Sequence, residues 1–141
     1  RLAGDKIIAV HSSVLMVDGQ AVMFLAPSGT GKSTHSRLWR QVYGDRVTMI
    51  NDDKPLVSVH TDDEGTHLTV YGTPWCGKHG IETPYIFNQI YRPDNEILMR
   101  KTLLLATTFA QNVDIYELGC NMKEEAAKVA YRAVFGVAAE R

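Results

Sequence analysis

A chain of 141 residues, 45% hydrophobic and 22% charged, is long enough to bury a core of its own and short for more than one domain. Fifteen Lys and Arg against sixteen Asp and Glu leave a formal charge of -1, so the chain lacks the basic excess of a nucleic-acid or acidic-membrane binder. Its longest apolar run, Ala21 to Ala26, falls far short of the ~20 residues of a spanning helix.

In chain order, Ile7 to Val10 and Val14 to Val17 are short β-rich runs. Asp18-Gly19 is a hairpin signal, and Ala21 to Leu25 follows as a buried strand. After a glycine-rich loop, Leu38, Trp39, Val42 and Tyr43 share one helical face from about Lys32, and Gly44 supplies the stop. Val47 to Ile50 is an apolar strand closing on Asn51-Asp52-Asp53. Leu56 to Val59 and Leu68 to Tyr71, with Asp62-Asp63-Glu64-Gly65 between them, make a second hairpin. Pro74, Gly77 and Gly80 make 72–80 a loop. Ile97, Leu98, Leu104, Leu105, Thr108 and Phe109 recur at helical spacing across Asp94 to Gln111. Val113 to Leu118 reads as a strand and Lys123 to Phe135 as an Ala-rich helix. Strands interleaved with helices predict a single α/β domain.

Arg1 opens no signal-peptide pattern, and Cys76 and Cys120 lack a CxxC or a nearby His at metal-ligand spacing. The expectation is two reduced thiols, a cytoplasmic address and neither a disulfide framework nor a structural zinc site. His35, His60, His67 and His79 have no partners at ligand spacing and read as structural or surface residues.

The strongest motif is Ala26-Pro27-Ser28-Gly29-Thr30-Gly31-Lys32-Ser33, a Walker A pattern with Ala for the first Gly. Its glycines let successive backbone N–H groups of Ser28, Gly29, Thr30, Gly31, Lys32, Ser33 and Thr34 approach phosphate oxygens, and the helix that follows adds its positive end. Lys32 then reaches the β- and γ-phosphates, and the Ser33 hydroxyl is placed for Mg2+. The bland alternative, a glycine-rich surface turn, does not call for Lys-Ser at a helix start.

Asn51-Asp52-Asp53 is the second constellation. After a strand beside a phosphate loop, one carboxylate can hold Mg2+ and its neighbour can take a proton from an attacking hydroxyl. Adjacent residues of an extended chain point apart, so both serve one site only if the chain turns there, as Pro55 allows. Which carboxylate binds metal and which is the base stays open. The bland alternative is a solvated Asx turn.

His11-Ser12-Ser13, Ala26 to Ser33 with Thr34-His35-Ser36-Arg37-Leu38-Trp39, Asn51-Asp52-Asp53-Lys54-Pro55 and Tyr71 to Lys78 together carry a family likeness. The chain resembles the HPr kinase and phosphoenolpyruvate carboxykinase-like phosphate-loop superfamily, and its short HPr kinase-like members in particular. The resemblance implies a mixed sheet with an antiparallel hairpin before the phosphate loop and packed helices. It also implies an ATP- and Mg2+-dependent kinase with a hydroxyl-bearing acceptor, a protein, peptide or small molecule. Lys32, Asp52, Asp53 and His11 take the catalytic places, His11 orienting the acid-base carboxylate or steadying the γ-phosphate, and Ser33 and Asp52 the metal. The larger relatives form ring-like assemblies, which makes a homo-oligomer worth testing and leaves the oligomeric state open. The HPr-recognition signature and the carboxykinase metal ligands are not recognisable, so neither HPr phosphorylation nor decarboxylation is expected. The relatives' pattern also implies residues missing between Thr83 and Pro84. A nucleotide-binding regulatory or assembly module that transfers nothing is the alternative function.

Overall fold

The computed structural model describes residues 6–75 and 96–136. The strands are β1 (Ile7–Ala9), β2 (Ser12–Val17), β3 (Gln20–Leu25), β4 (Val47–Asn51), β5 (Leu56–Asp62) and β6 (Gly65–Tyr71), and the helices α1 (Lys32–Tyr43), α2 (Glu96–Gln111) and α3 (Glu124–Phe135). The fold is mixed α/β, with two three-stranded sheets ordered β1-β5-β6 and β3-β2-β4.

Asp18 and Gly19 carry φ of 49° and 83°, the left-handed pair that a two-residue hairpin needs to match strand twist, and β2 pairs with β3 from Val17↔Gln20 to Ser12↔Leu25. Strands β3 and β4 are both antiparallel to β2 and so run in the same direction, with α1 as the crossover between them. Because β2 fills the place between them, no parallel hydrogen-bonded neighbours arise among the described residues. Where a mixed sheet is expected, the described residues form two antiparallel ones. The two sheets share a seam. Residues 7–9 pair with β5, Val10 and Ser12 donate to the carbonyls of Pro55 and Asp53, and from Val14 the chain pairs with β4. His11 lies at that handover.

The core is built on Trp39, fully buried among Phe24, Tyr43, Tyr131 and Phe135, with Leu15, Val17, Val22, Leu38 and Val47 beneath it. Ala126, Ala127 and Ala130 keep α3 slim where it packs on α1. At the turn of the first hairpin, Arg46 and the Tyr131 hydroxyl both donate to the Asp18 carboxylate, and the Arg46 bond chiefly holds that carboxyl below its ordinary range.

Val113 to Leu118 forms no strand: only Leu118 packs against the core, while Ile115 and Tyr116 are exposed, so no buried face fixes a period of two. Helix α2 forms as expected, but its buried side is narrow. Leu105, Thr108 and Phe109 are half-buried, whereas Ile97 and Leu104 from the same predicted face are exposed. The expectations for Cys76, Lys78, His79 and the Thr83-Pro84 junction lie outside the described residues. No helix of the described residues is long and apolar enough to cross a membrane.

Candidate functional site

The Ala26–Ser33 loop leaves β3 and enters α1 with Gly29 at φ 83° and Gly31 at φ 102°, conformations that only glycine adopts without strain. Gly31 is the N-cap of α1 and offers no side-chain cap, and the first turn holds no acidic residue. The first backbone bond into the helix runs from His35 N–H to the Gly31 carbonyl, so the N–H groups of Lys32, Ser33 and Thr34 precede the helix ladder. A helix start with no side-chain cap and no acidic residue in its first turn is an electropositive end suited to an anion. Thr30 Oγ1 and Lys32 Nζ both donate back to the loop, Thr30 to the Pro27 carbonyl at 2.7 Å and Lys32 to the Ala26 and Pro27 carbonyls at 2.8 and 3.2 Å. Ser28, Gly29 and Thr30 are exposed, and Gly31, Lys32, Ser33 and Thr34 half-buried.

The Asp pair is set by a bulge and an Asx turn. Leu15 faces Met49 but Val14 faces Asn51, so Ile50 is an extra residue in β4 and re-aims the strand end. Asn51 is fully buried. Its Oδ1 accepts from the N–H groups of Asp53 and Lys54, both at 2.9 Å, and its Nδ2 donates to the Thr73 carbonyl and hydroxyl at 3.0 and 3.1 Å. Thr73 Oγ1 in turn donates to the Lys54 carbonyl. The chain turns here, as joint service of the two carboxylates requires.

Turning sends the carboxylates to different partners. Asp52 is 6% exposed, and its Oδ1 accepts from Ser13 Oγ at 2.6 Å. Ser13 Oγ also lies 2.7 Å from Ser36 Oγ on α1. Asp52 Oδ2 is buried and has no hydrogen-bond partner. Asp53 is more open: Oδ1 lies 3.5 Å from His11 Nε2 and Oδ2 2.7 Å from Lys54 Nζ. Ser36 stands one turn beyond Ser33 on the same side of α1, so the Ser13 bridge ties Asp52 to the helix that opens with Lys32-Ser33. Asp53 is grouped with His11 instead.

Ser13, Ser36 and Asn51 fall within the motifs read from the sequence, but sequence reading gave none of them a role. The local sequence offered no signal for their partners: Ser13 follows His11-Ser12, Ser36 lies between His35 and Arg37, and Asn51 runs straight into Asp52. His35 is buried, edge-on to Phe24, and its Nε2 accepts from Trp39 Nε1 at 3.0 Å. Burial lowers its pKa from the ordinary 6.5, and the neutral ring carries its proton on Nδ1. It is a core residue, as expected. His60 and His67, read as structural or surface residues, are cross-strand neighbours that flank Asp62 at 3.6 and 3.2 Å. The Glu64 N–H and then His67 hold the Asp62 carboxyl low.

A divalent cation fits Asp52 on the strength of that buried Oδ2, which in a dry site calls for a positive partner. Among the described residues no cluster of three or more His, Cys, Asp or Glu gathers for a metal. Asp52 and the Ser33 hydroxyl are the residues that would hold Mg2+, a cation that binds through few protein oxygens. Comparison of the chain with protein-family models, curated proteins and solved structures finds no match.

Proposed function

We propose that the chain is an ATP-dependent kinase with the HPr kinase/phosphoenolpyruvate carboxykinase-like phosphate-loop fold, moving the γ-phosphoryl group to a serine-type hydroxyl on a protein, peptide or small molecule. The observation that carries this reading is a buried carboxylate with one free oxygen, Asp52 Oδ2, tied through Ser13 to the helix that begins with Lys32-Ser33.

The backbone N–H groups of Gly29 to Thr34 cradle the phosphates, and Lys32 leaves the Ala26 and Pro27 carbonyls to neutralise the β- and γ-oxygens. Ser33 and Asp52 would hold Mg2+, which when bound would screen the phosphate charge. Asp53 is the base. Its more open carboxylate takes the acceptor's proton as the acceptor oxygen forms its bond to the γ-phosphorus, and the bond to the β,γ-bridging oxygen breaks to release ADP. His11, 3.5 Å from Asp53, orients that carboxylate.

The test is transfer of labelled γ-phosphate from ATP with Mg2+ into a lysate fraction holding native acceptors, by the wild type and Asp53→Asn. A labelled product made by the wild type and lost with Asp53→Asn supports the kinase. ATP binding with no Asp53-dependent product overturns it in favour of a nucleotide-binding module.

A further inference from the structure

Proton counting along the buried hydroxyls fixes the direction of their hydrogen bonds. The carboxylate Oδ1 of Asp52 can only accept, so the single Ser13 hydroxyl proton is committed to it. The Ser13–Ser36 bond then takes its proton from Ser36. The result is a one-way chain, Ser36 to Ser13 to Asp52, linking α1, β2 and the end of β4. Ser13 and Ser36 are fully buried, so water does not compete for these bonds. Only one oxygen of Asp52 is left over.

We propose that Ser13 is a specificity-determining positioning residue: by engaging Asp52 Oδ1 it leaves Oδ2 as the oxygen free for a cation and biases the carboxylate toward one-oxygen binding, favouring Mg2+ over Ca2+. The inference rests on the nucleotide-site reading above. Mg2+ keeps a tight octahedral shell and takes a carboxylate through one oxygen, whereas Ca2+ accepts larger, looser shells in which carboxylates bind by one oxygen or both. A carboxylate with one oxygen already bonded at 2.6 Å serves the first geometry and puts the two-oxygen mode of Ca2+ in competition with the Ser13 bond. Ser36 supports the device at one remove, because its donated proton holds the Ser13 oxygen in line. Neither serine touches the reacting atoms.

The experiment measures binding of a non-hydrolysable ATP analogue as its Mg2+ complex, as its Ca2+ complex and without metal, in the wild type, Ser13→Ala, Ser13→Thr and Ser36→Ala. Ser13→Ala frees Oδ1, and the ratio of Mg2+-complex to Ca2+-complex affinity is expected to fall roughly three- to tenfold, the range of one ordinary net hydrogen bond. Metal-free binding is expected to hold. Ser13→Thr keeps the hydroxyl and is expected to keep the ratio, and Ser36→Ala gives a smaller fall of the same sign. Should Ser13→Ala fail to fold, Ser36→Ala carries the same test. Equal weakening of both metal complexes, the mark of a merely structural serine, or an unmoved ratio in a folded variant overturns the inference and leaves the nucleotide site standing. A wild type that binds no analogue with either cation overturns both.

Discussion

Asn51→Ala should damage stability and the candidate site together. The fully buried side chain makes at least four hydrogen bonds, two donated to Thr73 and two accepted from Asp53 and Lys54. The two N–H groups are only part-buried and recover water when the amide goes. The Thr73 carbonyl and hydroxyl lie in the buried part of the turn and do not. At about 1 kcal/mol for each buried bond, with a further contribution for the cavity, the loss is about 3 kcal/mol. With a urea m-value of about 1.5–2 kcal/mol/M, the unfolding midpoint falls by roughly 1.5–2 M. Asn51→Asp separates the two halves of the turn: it keeps the Oδ1 acceptor but sets a second acceptor against the Thr73 carbonyl. It should lose stability while partly keeping the direction of Asp53. Urea denaturation followed by tryptophan fluorescence gives the energies, and ATP-dependent transfer gives the site. A midpoint within 0.3 M of wild type for Asn51→Ala, about 0.5 kcal/mol on the same slope, would refute the reading of Asn51 as the pin of the turn.

Three further outcomes are expected. Because burial lowers the His35 pKa below 6.5, protonation favours the unfolded chain. The stability that neutral His35 preserves is fully present above pH 6.5 and lost as pH falls from there toward the folded-state value; urea midpoints for wild type and His35→Gln should show that acid loss shrinking in the variant. Gly72→Ala puts a Cβ 2.8 Å from the Ile50 carbonyl oxygen, a backbone contact that cannot swing aside, so denaturation should show a loss of about 1–3 kcal/mol. Asp52→Asn lowers the charge offered by the free Oδ2 and should weaken Mg2+-dependent ATP binding at least tenfold in a calorimetric titration, leaving metal-free binding near wild type.

Local signals fared best where local physics decides. Asp18-Gly19, the Gly44 stop of α1 and the Asp62 to Gly65 turn are backbone-geometry features, and each falls where its residues put it. Pairing between distant strands was not legible: nothing in Ile7 to Val17 says that its first half pairs with β5 and its second with β4. Nor was the failure of Val113 to Leu118 to form a strand, since an alternating pattern needs a partner edge that only the folded chain supplies. Within the site, the glycine loop and the Asp pair stood out because their residue types are chemically expensive to keep without a use. Ser13, Ser36 and Asn51 did not, because a small polar residue shows its role only through the group it reaches, and the Ile50 bulge that aims Asn51 leaves no mark in composition.

The central claim is tested most directly by calorimetric titration of ATP with Mg2+ into the wild type and into Lys32→Ala, the folded state of each checked by circular dichroism. The account expects one site per chain in the wild type, weakened at least tenfold without the Lys32 ammonium and again when Mg2+ is withheld. A folded wild type that binds ATP no better than Lys32→Ala, or that binds it indifferently to Mg2+, contradicts it.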